Sequence, residues 1–215
     1  MKVWVVGAGT YGDVLTSYMR HEVRSLDPTG LVDDDPTKHG TERCGLPVLG
    51  GTELLREAKS RGVEGVVVTL GDPTLRLRFL RMARELGLAT PHLIHPSAVV
   101  SPDAVLGQTV TVMAMSVVSP FATLGDGVMV APQSIVGHHT TLGEGTFLAY
   151  KVGVGGSIEI GKRCYFGAAC TIMTGVKRVG DDVTVGAGAL VIRDVDAGLT
   201  VVGLPAKPLI KRTGA

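Results

Sequence analysis

His138 and His139 stand side by side in the middle of a long apolar repeat, and they are its only histidine pair. An imidazole ordinarily titrates near pH 6.5, so at cellular pH it can take a proton from a group that must become a nucleophile. The pair is a candidate general base. It lies in a corner between two inward residues, Val136 and Thr140, so both rings should face outward. Two ordinary surface histidines are the plainer alternative. A zinc site would need further histidines on the same corner. His95 is not a multiple of 18 residues from His138 and stands on a different corner, so no metal is expected.

A second chemical constellation opens the chain. Residues 2 to 6 are β-branched and alternating, and they run into Gly7-Ala8-Gly9-Thr10-Tyr11-Gly12, after which Val14, Leu15, Tyr18 and Met19 fall on one helical face. Strand, glycine turn and helix in that order let backbone approach a phosphate at a helix N-terminus, where unpaired N–H groups and the dipole favour an anion. A second strand near Gly30-Leu31-Val32 ends in Asp33-Asp34-Asp35-Pro36. Acids at that distance from the turn hold ribose hydroxyls in dinucleotide enzymes. A polar loop in a solvated α/β domain would look the same. The three cysteines promise less: Cys164 and Cys170 fall among small inward residues, which packing explains better than disulfides or catalysis.

The element that positions the histidines is a repeat of six. Ile94, Val100, Leu106, Val112, Val118, Leu124, Val130, Val136, Leu142, Leu148, Val154, Ile160, Phe166 and Ile172 follow one another without a miss. Two positions before each, from Ala98 to Cys170, sits a second and usually smaller register. A period of six fits neither a helix nor an isolated strand, so the chain must turn a corner every six residues and wind into a coil. Leu106-Gly107, Leu124-Gly125, Leu142-Gly143 and Ile160-Gly161 recur every 18, which predicts three sides per turn and one glycine corner stacked on itself. Glycine there implies either positive φ or close backbone approach. One extra residue in Val176-Lys177-Arg178-Val179-Gly180 predicts a bulge before Val185 and Val191 resume the spacing.

Ahead of the coil, residues 52 to 61 and 74 to 87 read as helices and Gly65-Val66-Val67-Val68-Thr69-Leu70 as a buried parallel strand. Alternating strands and helices give an α/β domain over 1–90 that amounts to half of a Rossmann fold. The coil, with a tail that should cap it, occupies 91–215. Pro91 and Pro96 bracket the junction.

The formal net charge is +1 with no long run of one sign, which argues against nucleic acid or an anionic membrane as main partner. The first residues form too short an apolar run for a signal peptide, and no stretch of about 18 apolar residues follows, so a cytoplasmic protein is expected.

These motifs resemble the hexapeptide-repeat acyltransferases, and within them the branch of sialic acid O-acetyltransferases and nucleotide-linked aminosugar N-acetyltransferases. The likeness rests on the glycine-turn domain with Asp33 to Asp35, the coil entered through Ile94-His95-Pro96-Ser97-Ala98, and the tail Val202-Gly203-Leu204-Pro205-Ala206-Lys207. It implies a left-handed parallel β-helix, acetyl-CoA as co-substrate, and a homotrimer with active sites between neighbouring coils. By the same resemblance Gly7, Gly9 and Gly12 would approach phosphate, and Asp33 and Asp34 the base or sugar. His138 would be the base, with direct attack on the thioester and no acyl-enzyme. Backbone N–H groups near Gly155 and Gly156 would meet the oxyanion or pantetheine arm, Gly186 and Lys207 would lie along CoA, and Lys207, Lys211 or Arg212 could meet its phosphates.

The chain departs from the pattern at three places: His139 follows the base where an acid is common, Ala131 replaces an asparagine, and Phe147 replaces a second histidine, with Tyr150 and Lys151 nearby. N-acetylation of a nucleotide-linked aminosugar is the leading expectation. O-acetylation of a sialic-acid-type sugar, or a non-catalytic nucleotide-binding β-helix protein, are the alternatives, and an NAD-linked oxidoreductase ranks last.

Overall fold

The computed structural model describes residues 1 to 209, so Lys211 and Arg212 lie outside the described residues. The chain divides into two units, one ending at Pro96 and the other beginning at Ser97, just past the second bracketing proline.

In the first unit β1 (Lys2–Val6), β2 (Asp27–Val32), β3 (Glu42–Arg43), β4 (Leu46–Gly50) and β5 (Gly65–Val68) form one sheet in the order β3-β4-β2-β1-β5. All pairs are parallel except β3–β4. Helices α1 (Thr10–His21) and α2 (Pro73–Glu85) complete the half-Rossmann unit. β5 is buried throughout, as its unbroken apolar run requires. Val6, Val68, Phe79 and Leu80 belong to the core it shares with α2. Asp72 caps α2 by accepting from the Leu75 N–H at 2.7 Å.

Three local expectations change. Residues 52 to 61 form two short 3-10 pieces, Thr52–Glu57 and Lys59–Arg61, the second closed by Gly62 at φ +76. A β3–β4 hairpin is added to the expected elements, and Cys44 and Gly45, both at positive φ, are the two-residue turn such hairpins favour. The apolar stripes are also displaced: Val14 and Leu75 are exposed, while Thr16 and Arg76 are buried.

The second unit is a parallel β-helix. Its two-residue strands pair with the residues 18 positions away, as Val117 does with Val99 and Ile135, and the strands stack into three sheets. The inward series is buried from Val112 to Ile172, and the small register from Val110 to Cys170. Val100 and Leu106 are only half-buried, since a terminal coil has a stacked neighbour on one side alone. After the extra residue, Glu159 pairs with Arg178 and the sheet continues. Thr200–Val202 adds one more parallel rung, and Lys207–Pro208 folds back antiparallel upon it, ending the stack.

The stacked glycines are explained by close approach alone. None of Gly107, Gly125, Gly143 or Gly161 has positive φ. A β-carbon on Gly125 would stand 2.7 Å from the Glu144 nitrogen of the next coil. Positive φ falls two residues later, at Thr109, Gly127, Gly145 and Arg163.

The polar members of the small register form a buried ladder. Each hydroxyl donates to a carbonyl 15 residues on and accepts the N–H 18 residues on: Ser134 reaches Ala149 O at 2.7 Å and Val152 N at 3.1 Å, and Thr140 reaches Gly155 O at 2.7 Å and Ile158 N at 3.2 Å. Backbone groups that a sharp corner would leave orphaned are thereby paired inside the coil.

Candidate active site

His138 and His139 project from one corner of the coil, and both are exposed. His139 has φ +57, a left-handed conformation that turns the chain so that neighbouring side chains emerge together. Their Nδ1 atoms are 3.1 Å apart and the rings meet edge-on, at 84°. His139 also leans on Phe121, one coil earlier, with ring centroids 4.8 Å apart. On the other side His138 packs against Gly156: a β-carbon there would stand 2.7 Å from both Cε1 and Nε2. The Ser157 N–H donates to the His138 carbonyl at 2.8 Å, fixing the two corners together. No carboxylate bonds either imidazole among the described residues.

The other predicted groups separate into those with open polar atoms and those already engaged. The Gly155 N–H donates to Ile172 O at 2.9 Å, and a β-carbon on Gly155 would strike Thr174. Its glycine serves the stacking of coils, which removes it as an oxyanion donor. The Gly156 N–H, in a buried residue packed against the His138 ring, has no acceptor among the described residues. The Gly186 N–H is used by Val201 O at 2.8 Å, and a β-carbon there would meet Val202 at 2.8 Å. Lys207 is exposed and has no ion pair among the described residues, and it lines a cavity of about 250 Å³ with Ile192, Arg193 and Pro208 near the end of the coil. Cys164 and Cys170 are held as thiols by burial, which pushes them up to about 11 and about 12. Neither can serve as a nucleophile at neutral pH.

In the first unit Gly7, Asp33 and Asp34 come together around a cavity of about 190 Å³ at the C-terminal end of the parallel strands, where such folds bind ligands. Thr52, Leu70 and Arg78 complete its wall, and none of the three was singled out from the sequence. Gly9 caps α1 with open space beside it. Gly12 instead faces inward, since a β-carbon there would overlap the Gly7 carbonyl at 2.2 Å. The buried Thr69 hydroxyl also reaches the turn, 3.0 Å from Val6 O and 3.1 Å from Gly7 O.

The Asp33 carboxylate accepts from Ala8 N at 2.7 Å, Asp35 N at 2.9 Å and Lys38 Nζ at 3.0 Å. Burial alone would raise its pKa, but these bonds together hold it below the usual carboxylate value. Asp34 accepts from both the N–H and the hydroxyl of Thr52. The two acids thus brace the glycine turn and the neighbouring loop, a task the sequence did not disclose. Arg76, buried in α2, donates to Leu70 O and Gly71 O and braces the third loop of the cavity; burial lowers it to about 10, so it stays charged.

Residues 2–83 match the family model of the PglD N-terminal domain. Over 80 residues, 36% of this chain, the sequence is 30% identical to the probable polysaccharide biosynthesis protein EpsC of Bacillus subtilis, a match that spans only 13% of that protein. The likeness to solved structures runs nearly end to end. Perosamine N-acetyltransferase from Caulobacter crescentus, in complex with CoA and GDP-perosamine, is 31% identical, with a TM-score of 0.91 and 98% of each chain covered. The chain belongs to the hexapeptide-repeat acetyltransferases. The acetyltransferase domain of PglB from Neisseria gonorrhoeae, solved with acetyl coenzyme A, is 34% identical at a TM-score of 0.87, over 97% of this chain and 98% of that one. The coil is accordingly the left-handed β-helix of these acetyltransferases, preceded by their short α/β unit. Among the described residues no helix is long and apolar enough to cross a membrane.

Proposed function

We propose that this acetyltransferase moves the acetyl group of acetyl-CoA to the amino group of a nucleotide-linked aminosugar. The observation that carries the reading is the end-to-end likeness, at 31% identity, to an enzyme that binds both CoA and GDP-perosamine. The Gly7–Asp33 cavity supports a role for the first unit in holding the nucleotide, with Gly7 and Gly9 toward the phosphates. Asp34 and Arg78 would face base or sugar. Asp33 would act mainly by shaping the turn, since its oxygens already have three donors.

On the coil, His138 takes the acceptor's proton at Nε2 while the amine nitrogen attacks the thioester carbonyl. The C–N bond forms, the C–S bond breaks, and the imidazolium returns the proton to the leaving thiolate. The Gly156 N–H is the candidate donor to the carbonyl oxygen as it gains charge. Lys207, an exposed ammonium, would meet a CoA phosphate by charge attraction. A homotrimer in the cytoplasm completes the reading.

The test is thiol release from acetyl-CoA by purified protein with a panel of nucleotide-linked aminosugars and free or nucleotide-linked sialic acid. A rate well above hydrolysis with one amine acceptor is expected. Release with none of them, under conditions where acetyl-CoA binds, would overturn the assignment. Sedimentation should give three chains per particle, and a monomer at micromolar concentration would remove the trimer.

A further inference from the structure

The mechanism uses one histidine of the pair and leaves the other unexplained. A base that works through Nε2 must carry its own proton on Nδ1, and something must accept that proton to hold the ring in the required tautomer. Among the described residues the one side-chain partner of the His138 ring is its neighbour. The Nδ1 of His139 lies 3.1 Å from the Nδ1 of His138. His139 is itself held: its backbone is locked at φ +57 and its ring rests on Phe121. His138 is confined from the opposite side by Gly156. The contacts of the pair with adjacent coils are made by Phe121 and Pro120 before it and Gly156 and Ser157 after it, none of which titrates.

We propose that His139 is the positioning partner of His138, a neutral imidazole whose Nδ1 accepts the Nδ1 proton of His138 and leaves Nε2 bare for the acceptor. His139 carries its own proton on Nε2. When His138 gains the second proton, the new imidazolium keeps the same bond to a neutral neighbour, so positive charge develops on the ring without a carboxylate beside it. The site therefore differs in kind from one in which a carboxylate follows the base: the imidazolium is balanced by the charge developing on the reacting carbonyl oxygen and thiolate, with no fixed anion at its Nδ1. The inference rests on His138 being the base.

Three substitutions separate the possibilities. His139→Asn keeps an acceptor oxygen near the place of Nδ1 and tolerates the left-handed backbone. His139→Gly removes the acceptor without straining φ +57. His139→Glu supplies an anion. With folding checked by thermal melting, His139→Asn should stay within a few-fold of the native rate. His139→Gly should lose about 10- to 100-fold in kcat with KM little changed. In His139→Glu the acid limb of the kcat/KM profile should move to higher pH, because a carboxylate stabilises the imidazolium. Nitrogen-15 shifts of labelled imidazoles in the native protein should assign a protonated Nδ1 to His138 and a bare Nδ1 to His139.

A His139→Gly enzyme with native kcat, or the opposite tautomers, would overturn the proposal while leaving the base assignment intact. A His138→Asn enzyme with native kcat would instead overturn the base assignment, and the partner role with it.

Discussion

The imidazole of His138 lies so close to the α-carbon of Gly156 that one added methyl would occupy the same space, 2.7 Å from Cε1 and Nε2. The ring is the free end of an exposed side chain and can swing aside. Gly156→Ala should therefore leave the melting temperature nearly unchanged yet lower acetyl transfer by about 10- to 100-fold by displacing the base. Gly137→Ala, whose methyl would instead meet Gly155 backbone at 2.5 Å, should destabilise the coil by about 1–3 kcal/mol. Equal melting temperatures for the two variants would contradict this division.

Replacing His138 itself tests the base directly. His138→Ala should reduce kcat by about 10²- to 10⁴-fold, the usual worth of general base catalysis, with the coil intact. Steady-state thiol release is the measurement, and retention of more than half the rate would exclude the assignment.

Thr140 joins stability to the site, since its buried hydroxyl bonds Gly155 O and Ile158 N on the next coil. Thr140→Val preserves shape and leaves both partners without it. The expected cost is about 1–3 kcal/mol in denaturant unfolding. No change in midpoint would mean that the hydroxyl ladder is dispensable.

Asp33 makes stability depend on acid. Its folded pKa lies below the unfolded value of 3.8, where backbone bonds from Asp35 and Ala8 and the Lys38 ammonium outweigh the opposing effect of burial. A lowered carboxyl pKa contributes stability fully above the unfolded value, and the contribution is lost as pH falls through the folded one. Asp33→Asn should cost about 1–3 kcal/mol at pH 7 in urea titration, and the gap to the native chain should close in strong acid. A gap that persists there would assign the loss to shape, not charge.

Burial of Cys164 and Cys170, with thiols raised to about 11 and about 12, predicts their silence toward thiol reagents. Native protein at pH 7.5 should expose no more than one reactive thiol, that of the half-buried Cys44. Modification should leave acetyl transfer unchanged. Activity lost in step with a second thiol would reopen an acyl-enzyme route.

The repeat of six, read from Ile94 to Ile172, determined the coil by itself, because a strict inward register leaves the backbone one way to bury those side chains. The glycine turn from Gly7 to Gly12 likewise announced the first unit, since strand, turn and helix are local. Left undetermined was what each polar group does once the coils stack. Gly155 and Gly156 are adjacent and identical in sequence, yet one amide is consumed by Ile172 O and the other, packed against His138, has no acceptor among the described residues. His139 read as the loss of an acid, and only the 3.1 Å approach of two Nδ1 atoms gives it a partner's geometry. Gly12 turns inward against the Gly7 carbonyl, and Asp33, at the cavity wall, has its oxygens engaged by Ala8, Asp35 and Lys38. Hydrogen bonds saturate, and which donor meets which acceptor depends on residues 15, 18 or more positions away, so tertiary structure alone decides it.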